Sequence, residues 1–508
     1  VAQPLERGSN NYYSIIQGEC NMPTVTLNNG RGSTAGTINK NQVHTIYEIN
    51  GVSAGKIVVA SLEFEDDVVT DCGGYPMAGI KLEYSGSISG VSGGWYRNSG
   101  MLYLKTSSST NISVDVKIDD PSAVLADGEN YTFNVAVVNA MEPFTPCDND
   151  GRSQYADSTY IISNAPEYIG EASQKGEWGS YLQRSLINAR PTIYWEHYND
   201  FNYAVTFGVL LWNKDSVPVT VSLHARCMQT EGNGVNRETA MTKVWKDRFN
   251  VVKTSDNSEL PTSGSVTIPA YDSDHPEQSA LWVTKYSVPA GPDKLFNGVL
   301  CLKLDYANGT SYNGSKVFCD TYVMTPGYEN SIKPALKNLH LASCTSTEAL
   351  RGGGDGCRLD CSVNNTITIT PTSSYNFLLT GKDIPTLQQN EKISITAHEK
   401  DVARPPMDNC FNYGVRYCIN FQGFSSSQTI KGKILHSKYT NNSALLHKSY
   451  SGIYVAGFIQ GMAPFGKLVM VNDGEWTFCA NVPKNTPITL NLVVSGMSGM
   501  PLEVSFCN

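Results

Sequence analysis

Along most of the chain, apolar residues recur at every second position in short runs broken by Gly, Pro, Asn or Asp, the pattern of strands with one buried face. In the first third these runs fall at Val43–Asn50, Ile57–Glu65, Ile80–Tyr84, Met101–Lys105, Asn111–Ile118 and Tyr131–Asn139. Val114, Val116 and Ile118 share one face of such a strand, and Asp115 and Lys117 the other. A second group covers Thr192–Trp195, Tyr203–Asn213, Val217–His224, Gly264–Ala270, Leu281–Val288, Gly298–Tyr306 and Val317–Met324. Pro218 confines the Val217–His224 run to an edge or bulge, and the turn Asn213-Lys-Asp-Ser216 pairs it with Tyr203–Asn213. A third group covers Thr366–Thr370, Lys392–His398, Val415–Phe421, Thr429–His436, Tyr450–Gln460, Lys467–Val471, Glu475–Val482, Pro487–Val494 and Leu502–Cys507. Helical patterning is confined to Ala240–Phe249 and Ile332–Leu341, two or three turns each.

This pattern predicts an all-β protein of tandem antiparallel β-sandwich domains, Ig-like or jelly-roll-like. Polar stretches at Asp148–Ser153 and Gly170–Gly176 and the Gly-rich loop Arg351–Gly356 mark the joints. The expected organisation is a polar N-terminal arm over 1–22, sandwiches over 23–160, 161–330 and 357–508, and a linker over 331–356. No residue-for-residue repeat links the three blocks, which disfavours a propeller or solenoid.

Composition narrows the partners. The 38 basic and 47 acidic residues leave a net charge of −9, and only 17% of the 508 residues are charged. A nucleic-acid binder held by phosphate contacts is not expected. The longest apolar stretch, Val209-Leu-Leu-Trp212, is far shorter than the ~20 residues of a spanning helix, so no membrane insertion is expected either.

Thirteen cysteines are scattered along the chain without a Cys-x-x-Cys pair, a layout of disulfides in an oxidising compartment rather than of a zinc ribbon. Opening on Val1 also fits a mature chain after signal-peptide removal, and an extracellular location, secreted or at the cell surface, is expected. Because 13 is odd, at least one cysteine stays outside intrachain pairing. Cys20 and Cys507, near the ends, are the interchain candidates. Cys72, Cys147, Cys227, Cys301, Cys319, Cys344, Cys357, Cys361, Cys410, Cys418 and Cys479 are the remaining disulfide candidates.

Catalytic signatures are missing from the sequence. The eight histidines, at 44, 197, 224, 275, 340, 398, 436 and 447, are never three or four residues apart, and neither a nucleophile elbow, a Walker loop nor a dinucleotide fingerprint occurs. Arg351-Gly-Gly-Gly-Asp-Gly356 lacks the Lys-Ser/Thr of a phosphate cradle and reads as a loop. Trp195-Glu-His-Tyr-Asn-Asp200 sets a Glu and an Asp among aromatics, as a glycosidase would. The stronger reading closes a sandwich with Trp195 and Tyr198 and leaves Glu196 and His197 in solvent at a strand end. No catalytic residue and no metal site are assigned. Glu63-Phe-Glu-Asp-Asp67, Asp148-Asn-Asp150 and Asp272-Ser-Asp-His275 read as solvated loops, with calcium the one ion their oxygens would suit; no cofactor is expected. Glycosylation sequons stand at Asn111, Asn130, Asn308, Asn313, Asn364 and Asn441.

The segment Thr192-Ile-Tyr-Trp-Glu-His-Tyr-Asn-Asp-Phe-Asn-Tyr-Ala-Val-Thr-Phe-Gly-Val-Leu-Leu-Trp-Asn-Lys-Asp-Ser-Val-Pro-Val-Thr-Val, continued by Leu281-Trp-Val-Thr-Lys285, resembles secreted modular β-sandwich proteins of Gram-positive spore-forming bacteria. That resemblance implies a surface or appendage component. The expected function is a secreted structural subunit of a filament, appendage or surface layer, not an enzyme. Its partners would be copies of itself, joined through edge strands, the terminal arm and an interchain disulfide. A carbohydrate-binding adhesin or lectin, with glycans as partners, and a viral capsid or spike protein are the alternatives.

Overall fold

The computed structural model describes residues 23–28, 30–64, 80–85, 91–96, 101–118, 121–122, 127–139, 144–146, 159–163, 168–170, 179–314 and 316–336, and beyond these a set of strand segments between 356 and 507 together with residues 462–464. The described chain is mostly β, built into several sheets with two α-helices, α1 (Arg237–Phe249) and α2 (Glu329–Ala335). Among the described residues no helix is long and apolar enough to cross a membrane.

In the first third, Thr24–Val25, His44–Val52, Thr110–Ile118 and Ile80–Tyr84 form one sheet, and Lys56–Phe64, Met101–Thr106, Val91–Tyr96 and Asn130–Asn139 belong to another. Both contribute to one core, which includes Ile49, Leu62, Leu104, Val114 and Phe133. Val114, Val116 and Ile118 are buried in it as their alternation predicts. Asp115, expected on the outer face, is also buried, and its carboxylate lies 2.6 Å from His44 Nδ1. Arg31–Thr37 adds a strand with no apolar alternation, paired to Asn130–Asn139. It needs Gly36, because a Cβ there would lie 2.4 Å from the Tyr47 hydroxyl, which is itself hydrogen-bonded to Tyr131 at 2.6 Å.

The central block has two sheets. One runs Ser265–Ile268, Val219–Thr230, Lys294–Tyr306, Thr192–Asn199, Thr159–Ser163, Gly356–Leu359; the other runs Gly179–Leu186, Val317–Met324, Val205–Asn213, Ala280–Val288. Val205, Phe207, Val209 and Leu211 of one strand join Trp195, Val221, Leu300 and Val323 in the core the sheets share. The intervening Leu210 and Trp212 pack on the opposite face with Trp282, Tyr322, Ile332 of α2 and Leu336, which caps its C-terminus. Burial on both faces explains why the run Val209–Trp212 does not alternate. Val219–Thr230 is not the hairpin partner of Val205–Asn213. It crosses to the other sheet and pairs on both sides, so it is not an edge strand, and Pro218 precedes its first paired residue. A register shift between Leu223 and Ala225 turns Arg226 inward.

The free side of Ala280–Val288 is closed by its own chain. Asn257 N donates to Lys285 O (3.0 Å) and Glu259 N to Trp282 O (2.9 Å). In return Lys285 N donates to Asp256 Oδ2 and Trp282 N to Glu259 Oε2, each at 3.0 Å. An edge finished in this way accepts no further strand.

α1 starts at Asn236, whose side chain accepts from Thr239 N at 2.8 Å. It lies between the central sheet and strands Gly452–Ile459, Phe465–Met470 and Ile488–Gly496. Phe249 packs on Phe458, and Thr242 sits where a Cβ on Gly466 would be, at 2.6 Å. Three strand pairings cross the expected block boundaries: Phe144–Pro146 with Cys361–Ile367, Thr159–Ser163 with Gly356–Leu359, and Asn139 with Phe377.

Cys227, Cys301 and Cys319, expected in disulfides, are buried and are not disulfide-bonded. They fall on strands of two sheets that face the core or α1, where apolar surroundings suit a reduced cysteine as a small hydrophobe. Cys357, Cys361, Cys418, Cys479 and Cys507 lie on strands whose side chains are outside the description, and Cys20, Cys72, Cys147, Cys344 and Cys410 lie outside the described residues.

Candidate functional site

The strand Thr192–Asn199 carries the segment richest in chemistry, and every residue of it is buried. Its neighbours are Lys294–Tyr306 on one side and Thr159–Ser163 and Tyr168–Ile169 on the other, so it is an interior strand. Trp195 faces the core, stacked on Phe207 at 5.0 Å, with its indole N–H donating to Tyr286 Oη at 2.9 Å. The indole lies over Gly298, where a Cβ would fall 2.1 Å from the ring.

His197 points the same way. Its Nε2 lies 3.1 Å from Ser163 Oγ, which lies 2.9 Å from Thr321 Oγ1. A serine within hydrogen-bond reach of an imidazole is the beginning of a nucleophile–base pair. Ser163 and His197 are 0% exposed and Thr321 1%, so the trio joins the two sheets by satisfying one another's polar atoms where no substrate reaches. The sequence had no local signal for it, because the three residues come from three separate strands.

Tyr194, Glu196 and Tyr198 point to the opposite face, beneath α1. Glu196 is 4% exposed and accepts from Tyr194 Oη at 2.8 Å. Trp245 of α1 packs on Tyr194 at 5.7 Å, and Arg237 stacks over Tyr198 at 4.9 Å while pairing with Glu231 and Asp293. Tyr454, from the last third of the chain, reaches the same space; burial, and then the nearby Glu196, push its pKa up. The expectation that Glu196 and His197 are solvent-exposed at a strand end is therefore overturned: a helix covers one and a second sheet the other. Asp200 alone of the segment is exposed.

Arg226 and Asp256 form a second polar site that the sequence did not reveal. Their side chains are 2% and 1% exposed and meet at 3.0 Å. The Arg226 guanidinium also donates to Thr254 O, Ser258 Oγ, Leu260 O and Val283 O. It thereby fixes the loop that closes the Ala280–Val288 edge.

Of the acidic clusters, Asp272–His275 is an exposed turn in which Asp272 Oδ1 accepts from Asp274 N at 2.8 Å. Residues 65–67, 148–150 and the loop 351–355 lie outside the described residues. Among the described residues no three His, Cys, Asp or Glu side chains gather as a metal site would require. Asn111, Asn130, Asn308 and Asn313 are exposed; the side chain of Asn364 is not described, and Asn441 lies outside the described residues. Trp195, Trp212, Trp245 and Trp282 are all buried, so none offers the open ring face a sugar would stack on.

No family model matches the chain, and no curated protein does. Among solved structures, it is similar at 10% identity to dimeric latent PorU from Porphyromonas gingivalis, covering 88% of this chain and 33% of that one, with a TM-score of 0.11. It also aligns at 10% identity with the VP2 subviral particle of infectious bursal disease virus, covering 61% and 87% of the two chains at a TM-score of 0.08. A third alignment, with a family GH78 rhamnosidase of Bacillus sp. GL1, has 9% identity, 90% and 53% coverage and a TM-score of 0.10. The chain thus spans about a third of the PorU length, and superpositions this loose carry no fold or functional assignment.

Proposed function

We propose that this chain is a structural subunit of an extracellular surface assembly, a filament, appendage or surface layer, built from antiparallel β-sandwiches and joined to its neighbours through sheet edges. The observation that carries the reading is the way the chain joins its own parts. Gly356–Leu359 adds to the end of a central sheet, antiparallel to Thr159–Ser163, and Phe144–Pro146 adds to the end of a sheet of last-third strands, antiparallel to Cys361–Ile367. Strand addition of this kind between copies would polymerise the same module. The most reactive-looking residues, Ser163, Glu196 and His197, are buried and committed to internal partners, which also supports a scaffold role.

The closed Ala280–Val288 edge directs the proposal elsewhere. Ser265–Ile268 stands at the end of its sheet, with Ser265 and Thr267 exposed, and is the edge assigned to a neighbour. Electron microscopy of purified native material with non-reducing gels tests the reading. Filaments or lattices that the Val266→Lys variant shortens are the expected result; monodisperse monomers without a ladder overturn it.

A further inference from the structure

Trp212, next to the last residue of its strand, lies on the sheet face turned away from the main core, in register with Phe318. Its ring is flanked by Tyr271 at 6.1 Å and Phe318 at 6.2 Å. The ammonium of Lys214, two residues on, lies 4.8 Å from the Trp212 centroid, 5.8 Å from Tyr271 and 5.9 Å from Phe318. All three distances are within the ~6 Å reach of a cation–π contact.

The backbone sets these rings independently of the Lys214 side chain. Asn213, 0% exposed, donates through Nδ2 to Val217 O at 2.9 Å and Pro269 O at 2.8 Å, and its Oδ1 accepts from Asp215 N at 2.9 Å. Tyr271 N donates to Asp215 O, and Lys214 N to Lys316 O, each at 2.8 Å. Directly after Tyr271 come the exposed Asp272 and Asp274, whose field favours a cation approaching the rings; Lys316, whose carbonyl accepts from Lys214 N, is an opposing charge.

We propose that Trp212, Tyr271 and Phe318 form a binding cage for a small quaternary ammonium ion, and that Lys214 fills this cage in the free protein. A quaternary ammonium has no N–H groups to satisfy and suits ring faces better than a primary ammonium does. Lys214 is only half-buried, on a flexible stem, and can leave. While tethered it competes at high local concentration, and the apparent affinity falls by the fraction of cages that are open.

The test titrates tetramethylammonium and choline into the full chain and its Lys214→Ala variant, read by tryptophan fluorescence and ligand-observed NMR, with near-UV circular dichroism confirming the fold. The variant is expected to bind both cations on the order of tenfold tighter than the wild type. The uncharged choline isostere 3,3-dimethyl-1-butanol should not show that gain. Adding Tyr271→Leu or Phe318→Leu should remove it. Lys214→Gln, which keeps much of the stem, gives the same test should the alanine variant misfold. Equal affinities for wild type and variant, equal binding of the isostere, or binding unaffected by loss of Tyr271 and Phe318 each overturn the proposal.

Discussion

Arg226 and Lys214 are cations of the same pair of sheets in unlike surroundings. Around Arg226 the protein supplies Asp256 at 3.0 Å and four further acceptors, Thr254 O, Ser258 Oγ, Leu260 O and Val283 O. Burial lowers its pKa and the Asp256 charge works against that. Around Lys214 the protein supplies the faces of three rings at 4.8–5.9 Å. A guanidinium this deeply desolvated is stable only where both its charge and its N–H groups are answered, so nothing else substitutes for it. A half-exposed ammonium on ring faces keeps much of its hydration, so the rings accept another cation in its place.

The largest effect should come from breaking the carboxylate-held cation. Asp256→Ala leaves the Arg226 charge buried without its counter-ion and frees Lys285 N on the strand edge, a loss of about 3–5 kcal/mol in unfolding free energy. Urea unfolding checks this. A loss below about 1 kcal/mol would mean that Arg226 reaches water on the folded protein, and the contrast with Lys214 would fail.

That contrast was hidden in the sequence for a physical reason. Alternation made Val114–Ile118 legible as a strand because only short-range geometry is needed to bury every second residue. The two-sided burial of Val209–Trp212, the crossing of Val219–Thr230 to the other sheet and the Gly298 beneath Trp195 depend on strands far apart in the chain. Arg31–Thr37 carries no local period because Gly36 there answers to Tyr47 and Tyr131, and Gly32 to Val25 and Thr26. Thr192–Trp195 is legible as a strand, and Trp195 and Tyr198 as residues that close a sandwich, but the strand's continuation to Asn199 and the burial of Glu196 are not, since nothing in those residues announces that α1 lies on top. The thiols make the same point. Cys227, Cys301 and Cys319 should resist thiol reagents in the native protein and react on denaturation, because burial first, and then the neighbouring Cys301, push the Cys227 pKa up. Rapid native labelling at Cys227 would refute that.

The Lys214 turn can also be read through Tyr312. Its hydroxyl donates to Asp215 Oδ2 at 3.4 Å and accepts from Lys316 N at 3.1 Å, and burial pushes its pKa up to about 12. A tyrosine whose folded value lies above the ~10 of an unfolded chain contributes stability that is present below pH ~10 and lost as pH rises toward the folded value. Absorbance at 295 nm should therefore show one phenol fewer ionising near pH 12 in Tyr312→Phe than in the wild type, the other buried tyrosines such as Tyr454 still ionising late in both. The same variant should flatten the fall in stability over that window. Ionisation at the ordinary value would show the turn to be open to water.

The smallest effect concerns Lys214 itself. A cation–π contact at a partly exposed site contributes about 0.5–1 kcal/mol, so Lys214→Met, which loses the charge but keeps a stem over Trp212, should cost no more than that. Lys214→Ala also uncovers the indole and should cost somewhat more, yet well below Asp256→Ala. Urea midpoints of the three variants fix the order. If Lys214→Met proved as damaging as Asp256→Ala, the ring-held ammonium would be as indispensable as the carboxylate-held guanidinium, and a cage whose occupant the fold depends on has no vacancy to offer a ligand.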